Sequence, residues 1–140
     1  MPEKAVSVSL AGSASSPLNP DPAGAAEQRV LLYYRLVDAQ SFSQLVELFS
    51  ETVIYRRPGY QAIIGKDSLA AFYQSQRVIA VGQHAITELL AQGNKVAVHG
   101  EFNGILKNGN EVAVRFADFF RLTDDGLFEC RDTFFFVPSV

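Results

Sequence analysis

One cysteine, Cys130, and two histidines, His84 and His99, are all the thiol and imidazole chemistry in this 140-residue chain. A lone thiol cannot close an internal disulfide, and one Cys with two His cannot build a structural zinc cluster. The sequence therefore points to a cytoplasmic protein with no resident metal. No apolar run approaches the roughly 18 residues a membrane span needs, and residues 5–12 are too mixed with Ser to form a signal-peptide core. Basic residues are in no excess, 12 against 15 acidic ones with a net charge of −3, which leaves no phosphate-tracking surface for nucleic acid. A Gly-rich phosphate loop, a nucleophile elbow, metal-ligand spacings and internal repeats are all missing. No cofactor is expected.

What the chain does contain is 48% apolar residues, distributed unevenly. Residues 1–25 are rich in Ala, Ser, Pro and Gly and carry no aromatic side chain, which describes a disordered arm. Residues 26–140 suffice for one core and one domain. From Glu27, the residues Val30, Leu31, Tyr33, Tyr34 and Val37 recur at helical steps and predict a helix ending near Asp38. Ser41 or Ser43 can cap a short second helix through Leu45, Leu48 and Phe49. A strand over residues 52–57 follows, stopped by Pro58-Gly59, and Asp67 can cap a third helix carrying Leu69, Phe72 and Tyr73. Period-two alternation then marks residues 84–90, 96–106, 111–122 and 127–137, separated by Asn-Gly and Asp-Gly turn signals. The fold class expected is α+β, with three N-terminal helices packed on a curved, mainly antiparallel sheet.

A symmetric hairpin at Asn108-Gly109 sets His99 opposite Asp118, Glu101 opposite Phe116 and Asn103 opposite Val114. Loops of two or four residues at Asp125-Gly126 keep the next strand in phase, and the four-residue choice sets Arg131 opposite Asp118, Glu129 opposite Phe120 and Phe135 opposite Val114. The expected site is thus a row, His99, Asp118 and Arg131, facing the helices with Phe116 and Phe120, and a one-residue bulge in either hairpin would break it. Arg57 alternates with Val53 and Tyr55 and should point into the same space, to bind an anionic or enolate oxygen or to close the mouth with a salt bridge. Tyr60 and Tyr73 are expected at the mouth, Glu101 inside, His84 at the rim, and Cys130 on the opposite face from Arg131.

The segments Tyr33-Tyr34-Arg35-Leu36-Val37-Asp38, Leu48-Phe49-Ser50-Glu51-Thr52-Val53, Tyr55-Arg56-Arg57-Pro58-Gly59-Tyr60, Gly65-Lys66-Asp67-Ser68-Leu69 and Phe116-Ala117-Asp118-Phe119-Phe120-Arg121 resemble the nuclear-transport-factor-2-like superfamily. The likeness is to its SnoaL-type polyketide-cyclase and ketosteroid-isomerase-like branch, over about residues 27–136. It implies a cone with a pocket between helices and sheet, and a homodimer through the convex side. It also implies an oxyanion-hole tyrosine at Tyr33 and a catalytic carboxyl at Asp118. Where the isomerases keep their general base stands Arg57, and a guanidinium cannot abstract a proton.

An adjacent Arg131 should keep Asp118 ionised, leaving His99 as the acid–base group oriented by it. The function expected is a cofactor-independent isomerase or cyclase for a small hydrophobic carbonyl compound of polyketide, terpenoid or steroid type. The alternatives are an epoxide-hydrolase-like hydrolase of the same fold and a non-catalytic ligand-binding or protein-interaction module.

Overall fold

The computed structural model describes residues 22–137. Helix α1 (Pro22–Asp38) opens on a proline, whose missing N–H breaks no helical bond in the first turn. The arm expected over residues 1–25 lies outside the described residues except for its last four, which form that turn. Val30, Leu31, Tyr33, Tyr34 and Val37 are all buried, as the helical stripe predicts. Helix α2 (Phe42–Val46) follows Ser41, which makes no side-chain cap, and stops before Phe49. Phe49 instead begins β1 (Phe49–Arg56), which pairs with the two-residue β2 (Ile63–Ile64). Helix α3 (Lys66–Ala71) starts after Gly65 rather than at Asp67, which lies in its first turn, and runs on as a π-helical turn (Phe72–Gln76). The remaining strands are β3 (Ile79–Gln92), β4 (Lys95–Leu106), β5 (Glu111–Leu122) and β6 (Phe128–Phe135).

The architecture is α+β, with one six-stranded mixed sheet in the order β2-β1-β6-β5-β4-β3. Strands β3 to β6 form the expected antiparallel meander, whereas β1 joins β6 in parallel. That pairing sets Tyr55 beside Arg131. Helix α1 packs on β3 and β4 and α3 packs on β1, so one sheet face is roofed. Under the roof lie Phe102, Phe116, Phe120 and Phe128 with the tyrosines of α1.

Two turns decide which side chains enter that space. Leu106 donates its N–H to Asn110, and Gly109 adopts φ +91°. Three residues therefore close the β4–β5 hairpin, with a glycine in the left-handed region, and an odd loop shifts the register by one. His99 consequently pairs with Ala117, Glu101 with Arg115 and Asn103 with Ala113. The β5–β6 loop is also odd, Thr123 N–H bonding Leu127 with Gly126 at φ +86°. Here a second offset cancels the first: Leu122 pairs with Phe128 but Arg121 with Cys130, leaving Glu129 as a bulged residue. Arg131 thus stays on the Asp118 face, two places from the expected pairing. It stands opposite Phe120, while Thr133 faces Asp118 and Phe135 faces Phe116.

Glycine matters at two further positions. A Cβ at Gly82 would lie 2.3 Å from the Phe102 ring, and one at Gly100 would lie 2.9 Å from Phe116. Both rings occupy the room these glycines leave, and both rest against His84.

Candidate active site

The centre of the site is a buried ion pair. Asp118 has no exposed surface and Arg131 is 4% exposed, and Arg131 Nη2 donates to Asp118 Oδ2 over 2.8 Å. Tyr34 donates to the same oxygen and Thr133 to the other. Burial opposes ionisation of Asp118, but Arg131 and these donors outweigh it and hold the carboxyl below its usual range. The guanidinium lies between the rings of Tyr33 and Tyr55, at 4.5 and 4.6 Å from their centroids. Its Nη1 donates to the Tyr33 hydroxyl and, at 3.2 Å, to that of Tyr73, and these two hydroxyls lie 2.6 Å apart. Burial raises the Tyr33 pKa well above the ordinary tyrosine value and that of Tyr73 to about 12. Both are neutral donors near pH 7.

The second element is a histidine–carboxylate pair. Asp38, the last residue of α1, accepts from the His84 backbone N–H at 2.9 Å and lies 2.6 Å from its Nδ1. Burial lowers the His84 pKa despite the raising effect of Asp38. The imidazole is thus neutral, with Nδ1–H on Asp38 and Nε2 as the lone-pair nitrogen. Tyr34, Phe102 and Phe116 pack around the ring.

These groups meet at an internal cavity of about 30 Å³, room for about one water molecule. His84, Arg131, Tyr33, Tyr73 and Thr133 line it, with Arg57 and Arg77 at the side of β1 and the π-helical turn. Asp118 does not reach it. On its other side His84 borders an open cleft of about 1020 Å³ that also includes Asp38, Gln40 and Asn103.

The row read from the sequence is therefore rearranged. His99 stands on the outer sheet face, its Nε2 2.9 Å from Arg115 and its ring against Phe136, and it does not meet Asp118. Glu101 is exposed on that same face. The odd β4–β5 loop explains both. Asp118, Arg131, Tyr33 and Tyr73 do come together, although Asp118 serves as a buried anchor rather than a cavity group. Tyr55 is buried beneath Arg131, its hydroxyl 3.5 Å from both Arg57 and Thr133. Arg57 lies over the rings of Tyr60, Phe72 and Phe135; Tyr60 is not among the residues that line the cavity, and Tyr73, expected at the mouth, is buried. Phe116 and Phe135 line the cavity, whereas Phe120 is core beneath Tyr33. The sequence pattern sets His84 at the rim and marks neither Asp38 nor Arg77. The signal for His84 is its even separation from Ile86, which is buried.

Residues 30–129 match the family model for a SnoaL-like domain. The chain belongs to the SnoaL-like domain family. Solved structures similar to this SnoaL-like domain include an NTF2-like protein of unknown function from Burkholderia pseudomallei. Its TM-score is 0.72 at 18% identity, covering 79% of this chain and 90% of that one. The epoxide hydrolase/cyclase-like enzyme SalBIII of salinomycin pyran-ring formation aligns with a TM-score of 0.70 at 22% identity, over 79% and 89%. A putative ketosteroid isomerase from Kribbella flavida aligns with a TM-score of 0.69 at 20% identity, over 84% and 82%. These likenesses establish the NTF2-like, ketosteroid-isomerase-like fold. No curated protein matches the chain. Among the described residues no helix is long and apolar enough to cross a membrane.

Proposed function

We propose that this SnoaL-like domain is a cofactor-independent acid–base enzyme, an isomerase or cyclase acting on a small hydrophobic carbonyl compound of polyketide, terpenoid or steroid type. The observation that carries the reading is the neutral His84, fixed by Asp38, on the wall of a cavity that also holds Arg131 and the Tyr73 hydroxyl. His84 Nε2 takes a proton from the carbon next to the carbonyl, and the enolate oxygen that forms is met by Tyr73 and Arg131. Returning the proton at another carbon isomerises the substrate; attack of the enolate carbon on a second carbonyl closes a ring. Asp118, as a carboxylate, positions Arg131. The acid–base role thus moves from His99 to His84.

Solvent deuterium exchange into a panel of enolisable ketones, followed by NMR, tests the reading whatever the natural substrate is. His84→Gln is expected to lower the exchange rate by about 10²- to 10⁴-fold while leaving the circular dichroism unchanged. Exchange at the wild-type rate in that variant would sink the assignment.

A hydrolytic version is favoured by the cavity's capacity for a single water and by the fold shared with SalBIII. There His84 would activate that water against an epoxide, and incorporation of labelled oxygen from water would identify it. The expected homodimer is supported by an apolar strip on the outer sheet face, where Leu90, Phe119 and Phe134 are 73%, 51% and 54% exposed.

A further inference from the structure

The cavity has a charge imbalance that carbonyl chemistry alone does not explain. Three arginines line it, Arg57, Arg77 and Arg131, and among its lining residues there is no Asp or Glu. Asp118 compensates Arg131. Arg57 and Arg77 have no carboxylate partner among the described residues. Arg77 is 6% exposed, and its guanidinium lies 5.9 Å from the centroid of the Tyr73 ring. Arg57 has one long hydrogen bond, 3.5 Å to the Tyr55 hydroxyl, and its buried Nε has no acceptor. Tyr33 and Tyr73 remain neutral and cannot balance these cations.

A buried charge without a partner is costly, and a guanidinium that is mostly covered and never neutral needs an anion. The donors left open are of the kind that grip a carboxylate in a planar, two-point fashion. We propose that the cavity is a carboxylate site, so that the substrate is an organic acid whose carboxylate is held by Arg57 and Arg77. The proposal rests on the reading of this cavity as the substrate site and narrows the substrate class. His84 then reaches a carbon near the acid group, and the Phe102, Phe116 and Phe135 rings cover the apolar remainder. A void of about 30 Å³, room for about one water, admits only the tip of that carboxylate, so the rest of the molecule extends toward the open cleft beyond His84.

Acetate and acetamide have the same shape and differ in charge, so they form the decisive pair of probes. Both are titrated at constant ionic strength into the full ¹⁵N-labelled chain, following the arginine Nε–H resonances. Acetate is expected to bind about tenfold or more tightly than acetamide. Arg57→Met and Arg77→Met should each weaken acetate by about tenfold or more without altering acetamide. Arg57→Lys and Arg77→Lys, which keep the charge, should retain part of the preference, and thermal melts verify that every variant folds. Equal binding of the two probes, no saturable acetate shift, or acetate binding unchanged in both Met variants would overturn the proposal. His84→Gln separates the two readings, because it should keep acetate binding while losing proton exchange. Lost exchange with no acetate preference removes the carboxylate and leaves the acid–base reading intact.

Discussion

Asp118 illustrates how burial turns a reactive-looking group into a structural one. Its two oxygens receive Arg131, Tyr34 and Thr133, and no part of it touches the cavity. Removing its charge strands the Arg131 guanidinium, so Asp118→Asn should destabilise the protein by about 3–5 kcal/mol, measured by urea denaturation. A loss below about 1 kcal/mol, the scale of an exposed pair, would contradict that role. His84 sets the behaviour at mild acidity. Burial lowers its pKa, so the unfolded chain binds the proton more readily, and stability falls as pH drops through the ordinary histidine range near 6.5. Unfolding free energy measured between about pH 7 and pH 5 should decline in the wild type and decline less in His84→Gln. Asp118 acts at lower pH: its depressed pKa adds stability above the carboxylate range that is lost on further acidification.

At the scale of elements, loop length outweighs side-chain pattern. Gly109 at φ +91° makes the β4–β5 hairpin three residues long and turns His99 and Glu101 outward. A side chain there is strained even though open space surrounds it, and Gly109→Ala should cost about 1 kcal/mol in thermal denaturation. The alternation of β5 was readable, because Phe116, Asp118 and Phe120 must share a face whatever the turn. The stripe on α1 was readable for the same reason, a period that local residues fix. Pairings across a turn were not, because an Asn-Gly signal marks a hairpin without stating whether its loop is odd or even. The parallel pairing of β1 with β6 joins residues far apart in the chain, which no local pattern records. The sequence places His84 only at the rim, because its pairing with Asp38 at the end of α1 is a contact that only the packed helix creates.

At the scale of the molecule, the two sheet faces divide the work. The roofed face holds the ion pair, the imidazole and the cavity. The open face carries Leu90, Phe119 and Phe134, with the last two in edge contact. If that strip joins two copies, Phe119→Asp should convert the dimer to monomers in light scattering while leaving the interior unchanged. A monomeric wild type at micromolar concentration would remove the basis for that arrangement. The bulge at Glu129, tied by its side chain to Arg121 over 2.6 Å, reaches further than its place on the strand suggests. Because it cancels the odd loop beside it, inserting or deleting one residue between Leu122 and Arg131 would evict the guanidinium from the interior. Descent can therefore alter the length of this hairpin only by compensated steps, and a relative with a single gap here has rebuilt its interior.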